Sequence, residues 1–273
     1  MTISESFADE VSTGQRFEFG KNWASFLSKV DAETIANASQ SFQRMLGVDS
    51  IEGLRLLDAG SGSGLSSLVA RRLGASVVSF DYDPSSVECT LSLKNRYQPS
   101  DDDWQVSTGS VLDAAFLQSL GSFDIVYSWG VLHHTGSMWE AMGNVAHLVR
   151  PDGRLFIMIY PDIGWKANVW RAIKKTYCRG RLWRYGIVAT FIPYYVARGF
   201  VEDVAARDSP LRRYRTYPKR RGMSRYHDWI DWLGGYPYEV ANEPEVSNFL
   251  GDLGFRFEKK FNNEYVYRRT ASK

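Results

Sequence analysis

The sequence has few of the features that would set it apart from an ordinary globular chain. Its 273 residues include only two cysteines, Cys89 and Cys178, and these lack the spacing of a metal site or a disulfide framework. Residues 1–14 are polar, without the apolar stretch of a signal peptide, and no run of about 18 apolar residues occurs. We therefore expect no metal site, no membrane-spanning segment and a cytoplasmic location.

Linkers, repeats and low-complexity tracts are missing as well, so we expect one core with an insertion rather than separate domains. We predict an N-terminal helical lid over residues 1–50 and a ligand-binding core over 51–160. A helical cap follows over 161–240, and a C-terminal helix and hairpin over 241–273 complete the core sheet.

The net charge of +2 conceals a basic segment. Between Gly164 and Arg225, 16 Lys and Arg stand against 3 Asp and Glu, a net charge of +13, which leaves −11 for the rest of the chain. Aromatic residues interleave with these cations, and such mixtures bind flat or anionic ligands through stacking and forked hydrogen bonds. The cap is therefore predicted to bind an anionic or aromatic ligand. A helical cap with a solvated basic face is the alternative.

The most informative stretch, residues 54–64, reads Leu-Arg-Leu-Leu-Asp-Ala-Gly-Ser-Gly-Ser-Gly. An apolar strand ends on Asp58, a turn with three glycines follows, and a helix-like run comes next. Glycine lets the backbone turn sharply and lets a ligand approach closely, while the first amides of a helix supply hydrogen-bond donors. We expect this loop to bind a small molecule with a polar or anionic end. A glycine-rich turn without a ligand is the alternative.

The spacing of the glycines narrows the kind of ligand. A dinucleotide fingerprint would need a glycine at position 65 or 67, where Leu65 and Ser67 stand, which disfavours a dehydrogenase. The spacing present, Asp-x-Gly-x-Gly-x-Gly, resembles motif I of the class I S-adenosylmethionine-dependent methyltransferases. This resemblance implies that the loop holds the amino-acid end of the cofactor and that Asp58 helps to bind its ammonium group.

The next two predicted strands fit the same resemblance. Asp81 ends an apolar, β-branched strand 17 residues after Gly64. A carboxylate there can accept hydrogen bonds from ribose hydroxyls, and Tyr82 would lie beside the adenine. In the resembled family, the third loop presents a polar side chain and a backbone amide to the adenine edge, which here are Ser110 and Val111. The predicted cofactor contacts are Trp23, Asp58, Gly60, Ser61, Gly62, Gly64, Asp81, Tyr82, Ser110, Val111 and Trp129.

Two adjacent histidines follow the fourth predicted strand, residues 123–129. The segment resembles that of small-molecule methyltransferases, including the quinone-biosynthesis type. Ligands of open α/β sheets bind beyond the carboxyl ends of the strands, so Trp129, His133 and His134 should line the site. A hydroxyl acceptor must lose a proton, and histidine titrates near neutral pH. We predict His133 or His134 as the base, with His227 as the next candidate, although such histidines also simply cap turns.

The resemblance implies an α/β fold, a Rossmann-like doubly wound sheet that is mostly parallel with an antiparallel C-terminal hairpin strand, plus the basic and aromatic helical cap. Strands are predicted near 54–58, 76–80, 104–106, 124–128 and 154–160, with a hairpin over 255–267. Within the cap, residues 185–197 are mostly apolar and too short to span a bilayer. They are predicted either to lie on a membrane surface or to pack as a core helix broken at Pro193.

We therefore expect an S-adenosylmethionine-dependent methyltransferase that acts on a small-molecule acceptor, by O-methylation with a histidine base. The predicted acceptor contacts are Tyr160, Arg225, Tyr226 and Asp228. No nucleic acid is expected as a partner, because no Pro-Pro-aromatic motif follows the fourth strand and neither cysteine has a recognisable motif around it. Two alternatives stay open. One is an RNA or other nucleic-acid methyltransferase that uses the basic segment, and the other is a non-catalytic cofactor-binding protein of the same fold.

Overall fold

The computed structural model of the protein describes residues 3–28, 30–98, 100–209, 214 and 225–270. Within these residues, seven strands form one sheet in the order β3-β2-β1-β4-β5-β7-β6. The strands are β1 (Arg55–Ala59), β2 (Ser76–Asp81), β3 (Trp104–Thr108), β4 (Phe123–Trp129), β5 (Val149–Met158), β6 (Phe255–Phe261) and β7 (Glu264–Arg269). The first five are parallel, and β7 runs antiparallel to β5 and β6. The predicted fold class is confirmed.

Helices cover both faces of this sheet and build the cap. They are α1 (Ile3–Ser12), α2 (Gly20–Leu27), α3 (Ala32–Leu46), α4 (Leu65–Arg72), α5 (Pro84–Tyr97), α6 (Ala114–Ser119), α7 (Met138–His147), α8 (Trp165–Cys178), α9 (Arg181–Ala205), α10 (Arg225–Gly234) and α11 (Glu243–Asp252). A single 3-10 turn, Leu132–His134, follows β4. Asp113 caps α6, since its carboxylate accepts a hydrogen bond from the Phe116 amide at 3.0 Å.

The central strands of the sheet are buried on both faces, since consecutive residues such as Leu56 and Leu57, or Val77 and Val78, are apolar and buried. Leu57 of β1 pairs with Val78 of β2 and Val126 of β4, and all three side chains are buried. Such continuous apolar strands are typical of parallel sheets covered by helices on both sides. The strand order reverses between β1 and β4, and open α/β sheets bind ligands in the crevice that forms beyond the carboxyl ends at such a point.

Besides the two apolar cores that pack against the sheet, a third core joins the N-terminal segment to the cap. Phe17, which precedes α2, packs with Tyr177 of α8 and Leu233 of α10. Close by, the amide of Gly20 donates a hydrogen bond to the Asp83 carboxylate at 2.7 Å. A Cβ at position 20 would lie 2.5–2.8 Å from atoms of residues 83–86, so α2 approaches α5 as closely as it does because residue 20 is glycine. The four-part division of the chain stays a prediction.

Helix α9 contains the apolar segment 185–197, which was expected either to lie on a membrane surface or to break at Pro193. It continues through Pro193 rather than breaking there, so that part of the prediction is wrong. One face, including Ile187 and Phe191, packs in the third core, while Leu182, Trp183 and other apolar side chains on the helix are exposed. No helix of the described residues is both long and apolar enough to cross a bilayer.

Candidate functional site

The loop after β1 is shaped by three glycines in the left-handed region. Gly60, Gly62 and Gly64 have φ angles of +86°, +54° and +79°, a backbone conformation that residues with a Cβ rarely adopt. The amide of Gly60 donates to the Phe80 carbonyl at 2.9 Å, which ties the loop to the end of β2. A Cβ at Gly62 would lie 3.2 Å from the Trp23 ring, so the loop and α2 face each other across a narrow gap.

Asp81 at the end of β2 points toward the same loop. Its carboxylate accepts hydrogen bonds from the Gly62 amide and the Asp83 amide, each at 2.9 Å. Burial raises the pKa of Asp81 to about 6, against the lowering effect of these two donors. An ionised carboxylate offers about four lone-pair sites, so both oxygens retain capacity to accept further hydrogen bonds from a ligand.

A cavity of about 980 Å³ opens at this edge of the sheet. Residues at or just past the ends of all five parallel strands line it, among them Gly60, Asp81, Gly109, Trp129 and Met158. The cavity lies at the upper end of the roughly 300–1,000 Å³ typical of ligand pockets. Of the predicted cofactor contacts, the wall includes Trp23, Gly60, Gly62, Asp81, Tyr82, Ser110, Val111 and Trp129.

Asp58, Ser61 and Gly64 are not among the described wall residues of the cavity. Asp58 is buried and accepts a hydrogen bond from the Ser67 hydroxyl at 2.5 Å, and burial raises its pKa to about 7. Ser67 in turn lies 2.7 Å from the hydroxyl of Ser79 on β2. In this geometry Asp58 fixes α4 to β1 and β2 under the loop. Its role in binding the cofactor's ammonium group stays a prediction.

The two adjacent histidines occupy different environments. His133 is fully buried, its ring 4.1 Å from that of Tyr160, and it does not belong to the described cavity wall. His134 lines the cavity, and its Nδ1 lies 2.6 Å from the Pro237 carbonyl oxygen. Burial lowers both pKa values, that of His134 to about 3. His134 is therefore neutral, with Nδ1–H donating to Pro237 and Nε2 left as an acceptor.

The third histidine, His227, lies in α10, but its side chain is outside the described residues. Of the predicted acceptor contacts, Tyr160 and Asp228 lie in the cavity wall. Arg225 does not belong to the described wall, and its guanidinium lies 5.7 Å from the Trp229 ring centre. Tyr226 is exposed and is likewise not among the described wall residues.

Helix α1 and the residues after it close the side of the cavity where Tyr82 lies. The Tyr82 hydroxyl donates a hydrogen bond to Glu10 at 2.9 Å, and the Arg16 guanidinium lies 4.8 Å from the centre of the Tyr82 ring. Arg16 pairs with Glu10 at 2.5 Å and donates to the His134 carbonyl at 2.9 Å. The N-terminal segment is thus tied to both β2 and the 3-10 turn across the cavity mouth.

Comparison with known families agrees with this geometry. The model of a family described as a methyltransferase domain matches residues 30–208, which is more than half of the chain. The chain belongs to this methyltransferase domain family. The predicted resemblance to class I methyltransferases is thereby confirmed.

Individual curated relatives match this methyltransferase domain over only part of its length. Ubiquinone biosynthesis O-methyltransferases of Sinorhizobium medicae and Caulobacter vibrioides are each 32% identical to it, over 107 and 106 residues. Each alignment covers 39% of this chain, with 41% and 40% of the respective relative. The match therefore spans about two fifths of the length of these curated relatives.

Solved structures share the fold of the methyltransferase domain at low sequence identity. Magnesium protoporphyrin IX methyltransferase from Synechocystis PCC 6803, solved with bound SAH, has a TM-score of 0.52 at 14% identity, covering 89% of this chain and 86% of that one. A Haloferax volcanii methyltransferase solved with the activator Trm112 has a TM-score of 0.55 at 13% identity, covering 94% and 99%.

Some wall residues of the methyltransferase domain were not predicted from the sequence. Asp231 and Trp232 of α10 line the cavity beside Trp229. The signal was present in the repeat Asp-Trp-x-Asp-Trp over residues 228–232. Residues three and four positions apart share a helix face, so this repeat places two acidic and two indole side chains on neighbouring positions of one face.

Proposed function

We propose that this methyltransferase domain transfers the methyl group of S-adenosylmethionine to a small-molecule acceptor, releasing S-adenosylhomocysteine. One observation carries the proposal. The Gly60–Gly64 loop, which tolerates no side chain at Gly62 without crowding Trp23, faces the same cavity as the Asp81 carboxylate. Membership of the methyltransferase domain family supports it.

The residues present fit this cofactor. The Asp81 carboxylate has acceptor sites for ribose hydroxyls, Tyr82 and Val111 offer flat and apolar surfaces for an adenine, and Trp23 covers the glycine loop. The acidic side chains of Asp81, Asp83 and Glu264 line the cavity, which favours a ligand that carries positive charge. When bound, S-adenosylmethionine supplies an activated methyl group on a positively charged sulfur.

For the chemical step we propose O-methylation with His134 as the base. Its Nε2 accepts the proton of an acceptor hydroxyl, and the hydrogen bond from Nδ1–H to the Pro237 carbonyl fixes the ring for that task. Because burial lowers the pKa of His134 to about 3, this base is always available but weak. It therefore suits an acidic hydroxyl, such as a phenol, better than an aliphatic alcohol. His133, buried behind it, supports the ring of Tyr160.

A label-transfer experiment tests this function. The purified protein is incubated with S-adenosylmethionine labelled in the methyl group and with pools of phenolic compounds. We expect label to appear in an organic acceptor in proportion to the S-adenosylhomocysteine formed. Binding of the cofactor without transfer to any pool would favour the non-catalytic alternative. Transfer to RNA, with binding that weakens steeply as salt rises, would favour the nucleic-acid alternative.

We also propose a peripheral contact between α9 and a membrane surface. Leu182 and Trp183 are 84% and 56% exposed, and Arg181 and Arg184 flank them in the sequence. Exposed apolar side chains beside arginines favour the surface of an anionic bilayer. We expect the protein to sediment with phosphatidylglycerol vesicles and less with phosphatidylcholine vesicles. Replacing both Leu182 and Trp183 with serine should reduce sedimentation with both kinds of vesicle, and unchanged sedimentation would contradict the contact.

A further inference from the structure

Three wall residues of the cavity lie side by side on neighbouring strands at one edge of the sheet. Trp129 of β4 pairs in register with Met158 of β5, and Met158 pairs with Glu264, the first residue of β7. All three line the cavity. The Trp129 indole reaches across the end of β5, because its Nε1–H donates a hydrogen bond to Glu264 Oε1 at 2.8 Å. A carboxylate two strands away thereby fixes this tryptophan.

The sheet in turn holds the carboxylate in place. Glu264 directly follows the turn between β6 and β7, and the carbonyl of Asn263 in that turn accepts a hydrogen bond from the Ile159 amide at 3.2 Å. The antiparallel pairing of β5 with β7 begins at the same point. Since the backbone of Glu264 is fixed and its side chain accepts from Trp129, the indole has a defined orientation, although Trp129 is 38% exposed.

Trp129 flanks the glycine loop on the side opposite Asp81. The sheet order places β1 between β2 and β4, and Gly60 follows the end of β1, while Asp81 and Trp129 end the two neighbouring strands. The proposed base, His134, lies in the 3-10 turn after β4 and lines the same cavity. An acceptor hydroxyl that faces His134 must also meet the reacting methyl group. The sulfur that carries this methyl group is therefore expected on the β4 side of the loop, beside Trp129.

The pair of Trp129 and Glu264 favours a positive charge at that place. The face of an indole ring attracts cations, most strongly where water is excluded. A carboxylate that accepts a hydrogen bond from the indole N–H polarises the ring further, since hydrogen-bonded groups polarise one another at low dielectric. The same bond occupies the ring's single donor, so Trp129 offers the cavity an aromatic surface. A neutral thioether gains little from this surface, whereas a sulfonium gains electrostatic energy.

From this arrangement we infer that Trp129 and Glu264 together recognise the positive charge on the sulfur of S-adenosylmethionine. Trp129 contacts the ligand, and Glu264 is a positioning residue that holds and polarises the indole. The inference rests on the proposed function and assigns to this pair a preference for the charged cofactor over its neutral product. Once the methyl group and its charge have left the sulfur, the contact weakens, which favours release of S-adenosylhomocysteine.

Calorimetric titrations without an acceptor test the inference, because no methyl group is transferred under these conditions. The ligands are S-adenosylmethionine, S-adenosylhomocysteine and sinefungin, which carries an ammonium group where the cofactor has its methylated sulfur. The readout is the charge preference, defined as the dissociation constant of S-adenosylhomocysteine divided by that of each charged ligand. This ratio cancels contacts that all three ligands share, so a purely structural effect on the site does not change it.

Two variants separate the charge from the hydrogen bond. Glu264→Gln keeps an oxygen that accepts from the indole N–H but removes the negative charge, and it should lower the charge preference about twofold or more for both charged ligands. Trp129→Leu removes the aromatic surface and should lower it about two- to thirtyfold, the range that cation–π contacts provide. A charge preference that either variant leaves at the wild-type value would overturn the inference.

Glu258→Gln is the matched control on the same hairpin. Glu258 accepts a hydrogen bond from the Arg154 guanidinium at 2.8 Å and is not among the described wall residues. This variant removes one negative charge from the hairpin without touching Trp129, so the charge preference should stay at the wild-type value. An equal fall in Glu258→Gln and Glu264→Gln would show a general effect of charge on the hairpin and would contradict the inference.

The same titrations separate this inference from the proposed function. If the three ligands bind and the variants leave the charge preference unchanged, the role of Trp129 and Glu264 is wrong and the proposed function stands. If none of the three ligands binds to the wild-type protein, the proposed function fails and the inference fails with it.

Discussion

Replacing Gly62 with alanine should weaken cofactor binding far more than it weakens the fold. Gly62 has φ = +54°, and its added Cβ would lie 3.2 Å from the Trp23 ring. The left-handed conformation costs a residue with a Cβ about 1–2 kcal/mol. Carbon atoms prefer separations of about 3.5–4.0 Å, so the ring of Trp23, which lines the proposed cofactor site, must shift by a few tenths of an ångström.

Gly53→Ala is the matched control. Gly53 has φ = +74°, but a Cβ there meets nothing within 4 Å, so it shares the backbone strain without the contact. Both variants should lose about 1–2 kcal/mol of unfolding free energy, a fall in the thermal midpoint of about 2–6 °C. Calorimetry with S-adenosylhomocysteine should show at least a tenfold loss of affinity (about 1.4 kcal/mol) for Gly62→Ala alone. The reasoning is refuted if Gly62→Ala binds this ligand as tightly as the wild type.

Three further predictions concern ionisable groups. Asp81→Ala should cost about 1.5–3 kcal/mol of affinity for S-adenosylhomocysteine, as for hydrogen bonds to a charged acceptor; an unchanged dissociation constant would remove Asp81 from the ribose role. His134→Ala should slow turnover roughly 10²–10⁴-fold without weakening cofactor binding, and full activity would show that the base lies elsewhere. Burial raises the pKa of Asp58 from 3.8 to about 7, so the folded chain binds a proton that the unfolded chain releases. Its contribution to stability therefore falls as pH rises from about 4 to 7, and Asp58→Asn should stabilise the protein at pH 8 by on the order of 2–4 kcal/mol but little at pH 4. Equal effects on the thermal midpoint at both pH values would contradict this.

The fold could be predicted from local patterns because each pattern has a local cause. β-Branched and apolar runs such as residues 76–80 form strands, and the glycines after β1 permit a turn whose backbone conformation other residues rarely adopt. The Asp81 position followed from the same logic, since parallel strands end at one edge of the sheet. These are properties of spacing along the chain, which the sequence contains directly.

How deeply each side chain is buried could not be predicted in the same way. Asp58 pairs in register with Ser79, and the buried Ser67 hydroxyl of α4 donates a hydrogen bond to the Asp58 carboxylate. The spacing of residues along the chain predicts neither contact. His133 and His134 are adjacent, yet one ring is buried in the core and the other reaches the cavity, because a 3-10 turn rotates neighbouring side chains apart. The net charge of +13 over residues 164–225 did not reveal that Asp228 and Asp231, just beyond that segment, line the cavity, because composition does not say which side of a helix faces the cavity.

The most direct test of the central claim is a calorimetric titration of the purified protein with S-adenosylhomocysteine. We predict saturable heat for one site per chain, a higher thermal midpoint in the presence of this ligand, and an affinity weakened by about 1.5–3 kcal/mol in Asp81→Ala. The absence of heat together with an unchanged thermal midpoint in the wild-type protein would contradict the account.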